Sequence, residues 1–263
     1  MSIDFKYQVR AEKRLEHIKS HVEGGFDIDR MVDFISTRTG DPRACASGLS
    51  SHALASAMLA WFEGHDLELM KNWYYVSAEL NRFAYGLEID TISPLAKKLQ
   101  LLKPLLSDNS EIIDWFSTKN EASFNVKKIE ARNTLDYFAY QVLLAIRGEW
   151  VRLAERCESI LESPPANLKF YVPDFEFYLA LAMADKERMQ KAILDIVSPK
   201  RMTGRSSSEG GYTEGLISSY AVIYAKIAWR HGHEIVVDTP YVPMEWLPVK
   251  PLSCYESHYD FLK

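Results

Sequence analysis

One pattern recurs three times in this chain and restricts its fold more than any other feature. An apolar, alanine-bearing stretch with helical spacing ends at a small or charged turn and is followed at once by an amphipathic stretch. The three copies are LAWFEGHDLELMKNWYYVSAEL, AYQVLLAIRGEWVRLAERCESIL and FYLALAMADKERMQKAILDIV, with turns at Gly64 to Asp66, Gly148 to Glu149 and Asp185 to Lys186. An amphipathic helix has to bury its apolar stripe against another element, and a pair of helices still leaves one face uncovered. The pattern therefore predicts an all-α fold of stacked, degenerate helical hairpins, each covering its neighbour.

The spacing of the hairpins is irregular, so the stack resembles tetratricopeptide-type repeats without their regular period of about 34 residues. Around the hairpins, Tyr7, Ala11, Leu15, Ile18 and Val22 form a first helical stripe ended by Gly24 and Gly25. Ile28, Met31, Val32 and Ile35 form a second, capped by Asp27 or its neighbour, and Asp41-Pro42 starts a third. Further helices are read at Pro94 to Leu106, Glu111 to Thr118 and from Val126. The polar run from Ser198 to Gly211 reads as a mobile loop. Leu216 to Gly232 is apolar on both faces of a helical wheel, as a helix in the middle of a bundle must be, with His231 placed at its carbonyl end. Prolines 240, 243, 248 and 251 then forbid a helix, and Ile235 to Val237 reads as a short strand. Tyr241, Met244, Trp246, Leu247, Tyr255, Tyr259 and Phe261 make this Pro-rich tail apolar enough to pack back on the helices. Residues 1–263 are read as one helical domain with an extended tail at 233–263, the alternative being a sub-division near 120–130.

Composition excludes several function classes. The 31 basic and 36 acidic side chains give a net charge of -5 with no basic domain, which opposes nucleic-acid binding. No run reaches the ~18 apolar residues of a membrane span. The start is charged from Asp4 and lacks the apolar core of a signal peptide. Cys45, Cys157 and Cys254 lie far apart and form no CxxC pair, as expected of reduced thiols in a cytoplasmic protein, with no cysteine metal site.

No catalytic or metal motif emerges. His17 and His21 have the spacing of a helical metal pair, but they stand beside Arg10, Lys13 and Arg14, and Ile18 occupies the place of the zinc-protease glutamate. His231 and His233 bracket a terminating glycine, with Asp238 the nearest acid and no third ligand. Gly48-Leu49-Ser50-Ser51-His52 misses the nucleophile elbow because His52 replaces its second glycine. The run from Gly204 to Gly211 lacks the phosphate-loop lysine, and Asp27, Asp29 and Asp33 lack the glycine and glutamate of a calcium loop. Trp61, Phe62, Trp73, Tyr74 and Tyr75 are core if buried and a partner anchor if exposed.

The C-terminal part carries a resemblance. The buried Tyr- and Ala-rich helix from Leu216 to Gly232 closes in RHGHEIVVD and leads into Thr239-Pro240-Tyr241-Val242-Pro243-Met244-Glu245-Trp246-Leu247-Pro248. This resembles the close of the immunity protein 49 family of bacterial polymorphic toxin systems, in which a degenerate helical-hairpin domain ends in a helix, an extended piece and a P-x-x-L segment. Pro243 to Leu247 departs from that segment by one residue of spacing or in side-chain identity. The resemblance implies a cytoplasmic, non-catalytic protein without cofactor or metal that binds one cognate toxin and blocks it. An acidic chain in that role would face a basic toxin surface. The contact regions to expect are then Glu63, Asp66 and Glu68 at the first hairpin turn, Glu209 and Glu214 beside the polar run, and Tyr255, Glu256, Tyr259 and Asp260 in the tail. Two other readings stay open: a helical scaffold binding a peptide in a groove lined by residues such as Tyr74 and Asn81, and an all-α enzyme whose ionisable groups meet only in three dimensions.

Overall fold

Helix starts and stops follow the capping chemistry of the sequence. The computed structural model describes residues 5–87, 92–118, 121 and 123–263. Helices α1 (Phe5–Gly24), α2 (Ile28–Thr37), α3 (Pro42–Phe62) and α4 (Leu67–Leu87) come first, then the short α5 (Pro94–Leu99), α6 (Leu102–Ser107), α7 (Ser110–Thr118) and α8 (Val126–Glu130). They are followed by α9 (Leu135–Arg147), α10 (Trp150–Glu162), α11 (Val172–Ala182), α12 (Lys186–Ile196), α13 (Pro199–Arg205) and α14 (Ser219–Arg230). Asp27, Asp41 and Asp185 each accept a hydrogen bond from the backbone three residues on, satisfying an N–H that the helix leaves open. The three predicted hairpins are the consecutive pairs α3–α4, α9–α10 and α11–α12. Gly148 sits at φ +70°, a left-handed turn that lets α10 begin directly after α9.

The fold is all-α, and among the described residues there is no strand. Ile235 to Val237, expected as a strand, finds no partner strand: Ile235 and Val237 point inward, Val236 is exposed, and the Trp229 indole N–H donates to the Ile235 carbonyl at 3.0 Å. The helix expected over Pro94 to Leu106 divides at Gln100 and Leu101, because Pro104 has no N–H for the Gln100 carbonyl and its ring crowds that group. The run expected as a mobile loop is helical from Pro199 to Arg205 and forms a 3-10 turn at Ser206–Ser208. The cause is tertiary. Arg205 is 2% exposed and grips the buried Asp174 carboxylate of α11 with two N–H groups. The Tyr224 hydroxyl donates to the same carboxylate at 2.5 Å, and Lys98 stands 3.8 Å away with its ammonium over the Phe138 ring. Four helices, α5, α11, α13 and α14, thus meet at one carboxylate. α14 starts at Ser219, three residues later than its apolar pattern, where Ser218 and the turn at Gly215 (φ +83°) set its beginning. It is buried along its length, as a central helix should be.

The main apolar core runs from Ile18 to Leu247 and includes α14 and both later hairpins. The alternative sub-division near 120–130 falls partly on residues 119, 120 and 122, outside the described residues. A second, smaller cluster lies between α2, α3 and α4, and Tyr259, Phe261 and Leu262 of the tail pack against it. The tail is fixed between these two clusters by a buried ionic node. Asp108, in left-handed conformation at the end of α6, accepts from Lys71 of α4 at 2.8 Å, from Lys226 of α14 at 3.0 Å and from the Lys250 backbone at 3.1 Å. Lys226 also donates to the Trp246, Leu247 and Pro248 carbonyls at 2.8, 3.2 and 3.0 Å, and Lys71 to the Lys250 carbonyl at 2.7 Å. Fully buried Trp246 completes the seat, its ring about 6 Å from those of Trp61, Phe62 and Tyr74.

Removing the carboxylate from this node leaves two buried ammonium groups without a counter-charge. Asp108→Asn is expected to cost about 3–5 kcal/mol in urea unfolding. The same variant should open the segment after Trp246 to limited proteolysis before global unfolding begins.

Candidate protein-binding cleft

The anchored tail does not close completely on α4. Between the two lies a cleft of about 570 Å³. One wall is the first turn of α4 with Asp66, Leu67, Glu68 and Leu69, and the other is the tail from Lys250 to Cys254, with Glu256 and His258 at its end. Asp66 is oriented by its capping bond from Leu69 N at 2.9 Å, while Glu68 is exposed and Leu69 is 44% exposed. The far wall is held from beneath. The Tyr255 hydroxyl donates to the Ser107 carbonyl at 2.7 Å and accepts from Leu252 N at 3.1 Å, and its ring packs on Tyr75. The Asn72 amide meets both main-chain groups of Glu256, at 2.9 and 3.3 Å, and His258 stacks on Trp73 with ring centroids 4.2 Å apart.

This geometry brings together two regions that are about 190 residues apart in the chain: Asp66 and Glu68 face Glu256 across one opening. Glu63 lies on the same turn outside the cleft and is 3.8 Å from Lys19 of α1. Tyr255 supports the wall from below, Tyr259 is buried in the second apolar cluster, and exposed Asp260 pairs with Lys263 at 2.5 Å. Glu209 and Glu214 lie elsewhere. Glu214 is bound by Arg14 at 2.7 Å on the face of α1. The Glu209 carboxylate turns inward and accepts from Ser219 N at 2.9 Å and Thr213 Oγ1 at 3.0 Å, and burial pushes its pKa upward. Leu69, Asn72, Lys250, Leu252, Cys254 and His258 belong to the cleft without having been legible, because the contacts that collect them cross some 180 residues of chain.

The other constellations resolve into structure. None of the five aromatics around the first hairpin turn is exposed, and they pack against the tail and core. Tyr74 is fully buried, and Asn81, nearly so, borders a cavity of about 40 Å³ with Arg43, Ser47 and Tyr85, a space that holds about one water and not a peptide. His17 and His21 gather with Tyr212, whose hydroxyl is 3.2 Å from His21 Nδ1. The His231 ring reaches the Ala145 carbonyl of α9 at 2.9 Å, closing the end of that helix as well as terminating its own. Among the described residues no group of three or more His, Cys, Asp or Glu is placed to hold a metal ion. Ser50 lies inside α3, bound to Ser77 and Asn81, and accepts from Lys103 at 2.8 Å. Among the described residues Lys103 pairs with no carboxylate, and burial lowers its pKa to about 7.

Residues 151–246 match the family model described as Immunity protein 49. No curated protein and no solved structure matches the chain. The match to Immunity protein 49 runs from α10 through α14 to Trp246, taking in the helix on which the resemblance rests and the proline-bearing stretch up to Trp246, and stops before Leu247 and Pro248. It includes Lys226 and Trp246, which seat the tail, and leaves out every residue lining the cleft. Among the described residues no helix is long and apolar enough to cross a membrane.

Two measurements follow from these environments. The folded state holds Lys103 at a pKa of about 7, below the usual lysine value, so it binds fewer protons than the unfolded chain from there to about pH 10.4, and its penalty fades as pH rises through that window. Lys103→Met should therefore be more stable than the parent at pH 7, with the difference shrinking towards pH 10 in urea melts at each pH. A thiol reagent should label exposed Cys254 fast, and Cys157, buried and with its pKa pushed far up, only on unfolding.

Proposed function

We propose that this protein is a cytoplasmic immunity protein that binds a cognate bacterial toxin directly and neutralises it without catalysis of its own. The observation that carries this reading is the Immunity protein 49 match over residues 151–246. The cleft between α4 and the tail is the contact surface. Its exposed acids Asp66, Glu68 and Glu256 outnumber Lys250 on the rim, since Lys71 is consumed by Asp108, and this balance suits a toxin with a basic working surface. Glu63 and Tyr255 border the same opening. Glu214 extends the contact only where the toxin also reaches the α1 face, and Asp260 only where it follows the tail past His258; Glu209 and Tyr259 face inward and support these surfaces from within.

A blocking protein of this kind works by holding a finished surface. The tail is fixed by ion pairs, carbonyl contacts and the Asn72 clasp, so little ordering remains to be done on binding. Exposed carboxylates mainly accelerate encounter, while apolar Leu69 and Leu252 supply area that water leaves on contact.

The test is co-expression with the toxin encoded beside this gene. Growth should be restored and the pair should co-purify; absence of both would overturn the reading. The double reversal Glu68→Lys, Glu256→Lys should slow association roughly tenfold or more at low salt, with a smaller deficit at high salt, measured by stopped flow on the purified pair.

A further inference from the structure

Lys103 of α6 takes no part in either buried ionic node and is surrounded by neutral groups. Its Nζ lies 2.8 Å from the Ser50 hydroxyl, which is itself 3.0 Å from the Ser77 hydroxyl and 2.8 Å from Asn81 Oδ1. Helices α3, α4 and α6 thus close around one amine. Burial among uncharged groups lowers its pKa to about 7. In its neutral form the amine still donates to Ser50 and keeps a lone pair with which to form a bond. Near neutral pH it is a nucleophile, which an ordinary lysine, protonated up to about pH 10.4, is not. Ser50 is 1% exposed and Lys103 only partly buried, so the amine and not the hydroxyl is open to a reagent.

The cavity of about 40 Å³ adjoins this cluster. Asn81, bonded to Ser50, is part of its lining, and Ser47 and Gln100 line it from positions three residues before Ser50 and Lys103. The lining is rich in donors: the Arg43 guanidinium, the Ser47 hydroxyl and the amide groups of Asn81 and Gln100. A space of this size excludes bulky acyl donors and sugars, but a linear triatomic molecule is scarcely wider than a water. The donors suit a product that carries negative charge.

We propose that Lys103 is a carbon dioxide site, at which Nζ attacks the carbon of dissolved CO2 and becomes a carbamate directed to the Asn81 side of the cavity. An N–C bond forms, one C–O π pair moves onto oxygen, and one proton passes from Nζ to water: R–NH2 and CO2 give R–NH–COO⁻ and H⁺. No electrons are exchanged with any other reagent. The carbamate N–H retains the contact with Ser50, and its oxygens meet the amide and guanidinium donors. The site stands independently of toxin binding.

The experiment equilibrates the full-length protein with ¹³C-bicarbonate at about pH 7.5, below the pKa of an ordinary lysine, in a closed vessel. Triethyloxonium ion then ethylates any carbamate, and the digest is mapped by mass spectrometry. Gly-Gly in the same vessel is the positive control, because its free α-amino group forms a carbamate under these conditions. The expected result is ¹³C-ethoxycarbonyl on Lys103 at about tenfold or more above the mean of the other lysines, falling to their level when the labelling is done in urea. Lys103→Arg should lose the protein's ¹³C carbamate resonance while its circular dichroism spectrum matches the parent. Trapping of Gly-Gly with no label on Lys103 would overturn the proposal. Equal labelling of Lys103 in folded and unfolded protein, or a carbamate resonance that survives Lys103→Arg undiminished, would do the same.

Discussion

A single buried carboxylate, Asp108, determines where the last part of the chain lies. The main-chain hydrogen bonds of the helices are satisfied locally, so nothing in their regular structure reaches out to hold an extended, proline-broken tail. Side chains do it instead. Lys71 and Lys226 approach from α4 and α14, neutralise one aspartate between them and spend their remaining donors on tail carbonyls. Burial pulls the Lys226 ammonium down to about 8 even with Asp108 beside it, which shows how much desolvation the node has to offset. Such a node is costly to break and gains little over an apolar core of equal volume, so its value lies in fixing one path for the tail.

The other features of the tail depend on that path. Trp246 can be enclosed by Trp61, Phe62 and Tyr74 because its own carbonyl and the two that follow are already tied to Lys226. Beyond Lys250 the chain is held by Tyr255, the Asn72 clasp and the Trp73–His258 stack until Tyr259 enters the second cluster. The cleft occupies this lightly held interval. The Asp174 node performs a similar service on the opposite side of α14, drawing α13 into the core by Arg205. Two buried ionic centres, one on each side of the central helix, thus place the segments that hydrophobic periodicity leaves undetermined.

Periodicity and capping made the helices legible, because both are local: Asp27 and Asp41 cap helices where the residues beside them predict a start, while Asp185, legible as a turn, proves to be a cap as well. The tail's return was legible too, from aromatics that water would not tolerate in bulk. The failures share a cause. Ser198 to Gly211 has loop composition, yet Pro199 starts a helix there that Arg205 ties to an aspartate 31 residues away. Glu209 looks like a surface acid but closes the start of α14. For the cleft, the two acidic stretches were visible separately, and their juxtaposition was not, since it follows from Lys71, Asp108 and Lys226, three residues whose sequence neighbourhoods are ordinary.

The division between anchor and lip bears on how one fold could serve many partners. Substitutions at exposed carboxylates such as Glu68 and Glu256 change stability by about 0.5 kcal/mol or less, whereas changes at the buried node cost several times that. The lip is consequently free to follow the charge and shape of a partner while the anchor keeps the tail in place. The segment matching Immunity protein 49 contains the Lys226 and Trp246 part of the anchor and none of the lip. On the proposed reading, the part of the chain recognisable as a family is the part that holds the surface in position, and the part that chooses the toxin lies on exposed residues at its edge, where selection for a new partner meets the least resistance from folding.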